Sequence, residues 1–267
     1  FDKIRASIRF KHFKKTYDEN ILDIKGGLND VVMNNSPIDI DKLIEGTNEI
    51  LTANRNSLQL FDMLHSMRQF DDLTYVHSVN VALIASILGQ WLKFSEKDIR
   101  ILTISGLLHD IGKIMIPNEI LTKPGKLTVA EYNIMKQHVN FGYEKVKNQN
   151  IDIRIKEACL LHHEKCDGTG YPFGLKSDHI PAVAKIIAIA DVYDAMTSAR
   201  VYRGALCPFE VIDTMYKDAF TKFEPEYILP FLKNVASSYI NNDVRLSDGR
   251  IGKVVLINEN ALSLPIV

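Results

Sequence analysis

This chain of 267 residues contains eight histidines, and His77, His109, His138, His162 and His163 fall in or beside segments of helical spacing between positions 77 and 163. Asp110 follows His109 directly, and His162 and His163 are adjacent. Singly, a histidine in an apolar helix is more often a hydrogen-bonded core residue than a ligand. Together, imidazoles and carboxylate brought to one level of a helical bundle make a nitrogen and oxygen site suited to a transition metal. Neighbours on an α-helix lie about 100° apart, so His109 and Asp110 diverge and need not serve one ion in the same way. A carboxylate has two oxygens and can bridge two ions, whereas an imidazole offers one ring nitrogen in a given orientation. Asp191, in Ala190-Asp191-Val192-Tyr193-Asp194, is a further candidate carboxylate. His12, His65 and His179 have no motif partners and read as structural.

The elements that must position these side chains are mostly helical, because apolar residues recur at three-to-four spacing from about residue 70 onward. Residues 74–91 carry Val76, Val79, Val81, Leu83, Ile84, Ile87 and Leu88, too apolar for a surface helix and suited to the centre of a bundle. Ser95-x-x-Asp98 predicts a helix start running to about Gly112, and Thr128-x-x-Glu131 another running to about Lys147. Further helices are expected over about 153–164, 181–200 and 208–239, with Pro225 in a first turn. Residues 166–174 hold three glycines and a proline and read as a loop. Val244 and Leu246, then Asp248-Gly249, then Ile251, Val254 and Leu256 fit two short strands about a turn. Upstream, residues 40–54 and 57–67 look helical. The expected fold is all-α: a helical body over 69–240, an N-terminal helical accessory segment over 1–68 and a β-hairpin over 241–267.

Composition bounds the function. With 46% apolar, 9% aromatic and 24% charged residues the chain can bury a sizeable core, which excludes disordered, collagenous and disulfide-stapled classes. Lys plus Arg number 32 against 33 Asp plus Glu, so no global field favours DNA, RNA or an anionic membrane. Lys3, Arg5, Arg9, Lys11, Lys14 and Lys15 could contact an acidic partner, although a solvated face is the better reading. Cys159, Cys166 and Cys207 form no C-x-x-C pair and point to a reducing, cytoplasmic compartment. No apolar run approaches the ~20 residues of a membrane span. A first residue other than Met suggests a fragment of a longer chain; candidate partners are an upstream sensor domain and, through helices in residues 1–65, a second copy in a homodimer.

His77, then His109-Asp110-Ile111-Gly112-Lys113, His138, His162-His163-Glu164, Asp167-Gly168-Thr169-Gly170-Tyr171-Pro172 and Asp191-Val192-Tyr193-Asp194-Ala195 occur in that order. This succession, over about residues 70–235, resembles the HD-GYP family, a branch of the HD phosphohydrolases. The resemblance implies hydrolysis of cyclic di-GMP, or a related cyclic dinucleotide, to linear pGpG and in many members on to GMP. It implies two divalent transition-metal ions, iron or manganese ahead of nickel, cobalt or zinc. One ion would take His77, His109, Asp110 and Asp191, the other Asp110, His138, His162 and His163. A hydroxide bridging two ions ~3.5–4 Å apart would attack phosphorus in line with the departing sugar oxygen.

Lys113 lies four residues beyond His109, on the same face if the helix persists past Gly112, where its ammonium could neutralise charge on the phosphate. Tyr171 would stack on a guanine, and the resemblance assigns Arg200 and Arg203 to substrate contact, a role that a guanidinium fork suits. Glu164 and Asp167 are expected to orient ligands rather than bind metal. Some members hold a third metal with a glutamate one turn before the first histidine; Leu73 stands there and cannot ligate, while Asp71 and Asp72 are rotated off that face. The alternatives are a catalytically weak cyclic-dinucleotide-binding or protein-interaction module, which the complete ligand set counts against, and a mononucleotide-cleaving HD enzyme, which the Gly-Tyr-Pro loop counts against.

Overall fold

A helix with no polar face to give to water must be enclosed, and the fold is built round such a helix at Leu73–Trp91, where Val79, Val81, Ala82, Leu83, Ala85, Ile87 and Leu88 have no exposed surface. The computed structural model describes residues 2–54, 56–67, 73–198 and 206–267. The N-terminal quarter is α1 (Asp2–Arg5), α2 (Ile8–Asn34), α3 (Ile40–Ala53) and α4 (Ser57–Met67). The body follows as α5 (Leu73–Trp91), α6 (Glu96–Leu108), a 3-10 turn (Ile111–Met115), α7 (Asn118–Leu121), α8 (Val129–Met135), α9 (His138–Val146), α10 (Ile153–Leu161) and α11 (Ala182–Thr197). Then come α12 (Pro208–Asp218), α13 (Pro225–Ser238) and an antiparallel hairpin of β1 (Asp243–Arg245) and β2 (Ile251–Lys253), with Val244 opposite Gly252. The chain is therefore all-α with a short C-terminal hairpin, as its periodicities predict. One apolar core runs from Phe10, Phe13 and Tyr17 of α2 through α4, α5, α6 and α11 to Val254, Ile257 and Leu262 of the tail.

The helix starts agree with their sequence signals. Ser95 Oγ accepts from Asp98 N at 3.2 Å, and Thr128 with Glu131 forms a reciprocal capping box. Pro208 and Pro225 occupy first turns, where a missing N–H costs nothing. Helix ends differ from expectation, and they differ where the histidines are. The α6 helix stops at Leu108, not near Gly112, and the chain re-enters as a 3-10 turn. The segment expected to run unbroken from Thr128 to Lys147 breaks at Lys136 and Gln137 into α8 and α9. The α10 helix ends at Leu161, so His162 and His163 lie just beyond it. The α11 helix ends at Thr197; Arg200 and Arg203 lie outside the described residues, as do Asp71 and Asp72, and the Leu73 side chain is likewise not described.

Two glycines set the spacing of the body. A Cβ on Gly106 of α6 would collide with the backbone of Ala82 in α5, and one on Gly112 would collide with the His138 carbonyl and the Gly142 amide of α9. Backbone thus lies on backbone at both crossings, drawing His109 towards His77 and Asp110 towards His138. Gly112→Ala is expected to lower unfolding free energy by at least about 1–3 kcal/mol, the usual cost of forcing atoms into a packed contact. Urea titration reads this directly, and an unshifted midpoint would show that the 3-10 turn and α9 can part freely.

Candidate metal centre

Four of the five histidines sit at helix ends, where main-chain carbonyls are left over. His109 Nδ1 donates to Gly106 O at 2.7 Å, His138 Nδ1 to Met135 O at 2.7 Å and His162 Nδ1 to Ala158 O at 3.0 Å. The first ring in chain order, His77, lies inside α5 and its Nδ1 donates to Asp194 Oδ2 at 2.7 Å. Placing the proton on Nδ1 leaves Nε2 of each ring as the inward-facing atom. The helix breaks that sequence periodicity misses make this possible at His109 and His138, while Ala158 O accepts the His162 amide as well as its ring proton.

The inward atoms gather round Asp110, which is 1% exposed. Its Oδ2 lies 3.2 Å from His109 Nε2 and 3.6 Å from His77 Nε2, while its Oδ1 lies 3.3 Å from His138 Nε2 and 3.7 Å from His162 Nε2. Asp191 Oδ1 is 2.9 Å from His77 Nε2, and its Oδ2 is 3.8 Å from His163 Nδ1. Donor atoms of Asp110, His138, His162 and His163 all lie within 4.8 Å of one another, as do those of His77, His109 and Asp191. The seven residues singled out in the sequence are therefore brought together, in two groups that meet at one carboxylate.

The donor set fits cations. His109 Nε2 and Asp110 Oδ1 are buried without a hydrogen-bond partner, an arrangement that costs about 1–3 kcal/mol per group. His138 Nε2 and His162 Nε2 face each other at 3.4 Å, each with its Nδ1 proton directed to a carbonyl, so two lone pairs are opposed. A divalent ion in each of the two groups would satisfy these acceptors, and imidazole with carboxylate suits iron, manganese, nickel, cobalt or zinc.

Electrostatics separates the rings. Burial foremost pushes His138 down to about 4, against the pull of Asp110, and drives His162 well below the ordinary histidine range. Burial likewise pushes His163 down to about 3. For His77, burial opposes the charged ring, but hydrogen bonds to Asp191 and Asp194 outweigh it and hold the imidazolium up to about 9. Burial also disfavours charge on Asp110 and Asp191, yet nearby His109 and Lys113 for the first, and His77 for the second, keep both carboxyls well below their usual range.

The surrounding residues are partly as expected. Lys113 does not stand on an α-helical face with His109: within the 3-10 turn its Nζ donates to Asp110 Oδ2 at 2.5 Å, with 21% of its side chain exposed. Tyr171 lies at the site, its ring stacked on His163 at 4.7 Å between centroids. Glu164 and Asp167 hold the loop rather than the imidazoles. Glu164 accepts from the amides of Phe173, Gly174 and Leu175 at 2.7, 3.1 and 2.9 Å, and Asp167 accepts from Thr169 N at 2.9 Å. A carboxylate bonded to three successive loop amides is spent on tethering. The residue that fixes a ring is Asp194, which sequence reading leaves without a role; its spacing of three from Asp191 on one helix was the available signal. His65 is structural, bonding Phe61 O and the Tyr193 hydroxyl, and His12 and His179 are exposed. Cys159 is buried, Cys166 partly buried and Cys207 exposed, all three as free thiols.

Residues 44–227 match the HD domain family. The chain is 37% identical over 200 residues to a cyclic di-GMP phosphodiesterase of Pseudomonas aeruginosa, covering 74% of this chain and 48% of that protein. It is 30% identical over 216 residues to the 3'3'-cGAMP-specific phosphodiesterase 2 of Vibrio cholerae, covering 79% and 40% respectively. It thus spans about half the length of the relatives it matches. Among solved structures, an HDG"Y"P protein from Bdellovibrio bacteriovorus superposes with a TM-score of 0.69 at 17% identity, covering 85% of this chain and 72% of that one, a likeness of fold.

The depressed histidines make stability pH-dependent. His138, His162 and His163 are neutral in the fold but take up protons in the unfolded chain below about pH 6.5, so acid favours unfolding. His77 acts oppositely, its contribution being complete below about 6.5 and lost as pH rises through about 9. The carboxylates keep their contributions above about pH 3.9. Chelator-stripped protein is therefore expected to lose on the order of 1 kcal/mol per pH unit for each of the three depressed rings between pH 6 and 5. Urea titrations across that window that show constant stability would mean the rings are already protonated in the fold.

Proposed function

The chain belongs to the HD domain family, in its HD-GYP branch, and from that membership we propose that it is a metal-dependent phosphodiesterase hydrolysing cyclic di-GMP, or a related cyclic dinucleotide, to the linear dinucleotide. The observation that carries the reading is the division of Asp110, one oxygen towards each group of imidazoles. His77, His109, Asp110 and Asp191 would hold one ion, and Asp110, His138, His162 and His163 the other. When bound, such a pair supplies a water acidified to nucleophilic strength and Lewis-acid neutralisation of the phosphodiester. Hydrolysis of this substrate class is supported by the relatives that act on cyclic di-GMP and 3'3'-cGAMP.

The protein's own groups supply the rest. Main-chain carbonyls at helix ends fix His109, His138 and His162, and Asp194 fixes His77, before substrate arrives, so little reorganisation accompanies reaction. Lys113, joined to Asp110 at the partly exposed side of the site, is the cation we assign to the incoming phosphate. Tyr171, beside His163, is the ring we assign to the base, and Glu164 keeps its loop in place. Arg200 and Arg203 keep their assignment to the substrate on resemblance alone. We take residues 69–240 as the catalytic unit, residues 1–68 as accessory to it and 241–267 as a tail. No helix among the described residues is long and apolar enough to cross a membrane, and with three free cysteines we assign the activity to the cytoplasm.

Anaerobic reconstitution with Fe²⁺ or Mn²⁺, followed by chromatography of products from cyclic di-GMP, 3'3'-cGAMP and a deoxynucleotide, tests this. Linear dinucleotide is the expected product, and Asp110→Asn should slow its formation by more than about a hundredfold, beyond what loss of an outer hydrogen-bond partner alone costs. Tight nucleotide binding without turnover would favour the signalling module, and cleavage of the deoxynucleotide alone would favour a mononucleotide enzyme.

A further inference from the structure

His77 is held differently from the other rings. His109, His138 and His162 give their Nδ1 protons to main-chain carbonyls, but His77 stands inside α5, where carbonyls are committed to the helix. Its proton goes to Asp194 Oδ2 at 2.7 Å. Asp194 Oδ1 accepts in turn from Asn80 Nδ2 at 3.0 Å and Ser198 Oγ at 3.2 Å. Because the amide nitrogen of Asn80 faces the carboxylate, its Oδ1 faces the Tyr17 hydroxyl at 2.5 Å, and a carbonyl only accepts, so Tyr17 donates. The direction of every bond from α2 to the site is thereby determined. Tyr17, Asn80 and Asp194 are 2%, 8% and 2% exposed, where an unmatched polar atom costs most.

Tyr17 lies ahead of residues 44–227, the part that matches the HD domain family. Its helix grips both halves of the site. Besides Tyr17 to Asn80, Tyr75 Oη of α5 donates to Asn29 Oδ1 at 3.0 Å, and Lys145 Nζ of α9 donates to Val32 O and Asn35 Oδ1, both at 2.8 Å. We infer that Tyr17 is a positioning residue for the His77 half of the site: through Asn80 and Asp194 it fixes the plane and the Nδ1–H tautomer of His77, so that α2 governs how firmly His77, His109 and Asp191 hold their ion. This rests on the metal reading of the preceding section. Without the hydroxyl, Asn80 Oδ1 loses its donor, the amide is held only through its bond to Asp194, and the carboxylate that aims His77 is held less firmly.

The test uses the full chain loaded with Co²⁺, with stopped-flow release of the ions to a chelating dye. Tyr17→Phe should speed release of one ion by about three- to tenfold and leave the other unchanged, and Asp194→Asn should speed that same ion by about 10–100-fold. The double variant should be no faster than Asp194→Asn, because both act through one chain of contacts. Asn80→Ala cuts the chain in the middle and should reproduce the one-ion effect, with Tyr17→Phe adding nothing to it. Tyr75→Phe removes an α2–α5 hydrogen bond outside the chain and should leave both rates as they are. Wild-type rates in Tyr17→Phe and Asn80→Ala, additivity with Asp194→Asn, or an equal effect from Tyr75→Phe would each overturn the inference. A wild-type protein that retains no Co²⁺ would instead overturn the metal reading itself, and the inference with it.

Discussion

The buried carboxylate of Asp110 sets the problem that the helical body has to solve. A charge at 1% exposure costs several kcal/mol unless partners replace its water, and among the described residues Lys113 alone donates a short hydrogen bond to it, at Oδ2. Its Oδ1 instead faces the Nε2 atoms of His138 and His162, which carry no proton to give. Acceptor facing acceptor is tolerable only because the surrounding packing is too extensive to yield, which is why the arrangement reads as a site and not as a core network. In an ordinary histidine core, as at His65, both ring nitrogens have partners and nothing is left over.

The packing that holds it depends on closeness at two crossings and on breaks at three helix ends. Gly106 lets α6 lie against the backbone of α5, and Gly112 lets the 3-10 turn lie against α9. The breaks that end α6 and separate α8 from α9 release the carbonyls that orient His109 and His138, while at the end of α10 the Ala158 carbonyl takes both the backbone and the ring proton of His162. Rigidity and chemistry thus meet at the helix ends: a terminal carbonyl accepts the ring proton, at Ala158 alongside the His162 amide, and that bond aims the opposite nitrogen inward.

How much of this was legible beforehand follows from what each signal encodes. Apolar spacing encodes which face is buried, so the helices of residues 74–91 and 40–54, the hairpin, and the loop after His163 could be read within a few residues. The seven candidate ligands could be read because their types and order suit that chemistry, and the fold brings all seven together. Helix ends at His109, Lys136 and Leu161 could not, since apolar spacing continues past them and the break is imposed by neighbouring backbone rather than by a local Gly-Pro signal. Glu164 was misread for a related reason: its place after two histidines suggests a ligand partner, but its three amide bonds come from a loop whose path no local pattern predicts. Arg200 and Arg203 stay outside what the described residues can address.

The odd position of His77 explains why one helix supplies two aspartates. A ring in a helix interior has no spare carbonyl, so its outer nitrogen needs a side-chain acceptor, and its inner nitrogen needs a neighbour at the same height. Residues three apart on a helix lie about one turn apart on one face, so Asp191 and Asp194 of α11 can clasp a single imidazole, at 2.9 Å on Nε2 and 2.7 Å on Nδ1. A carboxylate buried for that purpose needs its second oxygen satisfied, and Asn80, one turn beyond His77 on α5, is the nearest amide able to do so. Asn80 then brings its own carbonyl, which needs a donor that neither α5 nor α11 provides, and the Tyr17 hydroxyl supplies it. Each step answers an unsatisfied group created by the one before, and the sequence of needs ends on α2. The contact between the N-terminal helix and the body is therefore part of the same polar network as the histidine cluster, and more than apolar packing.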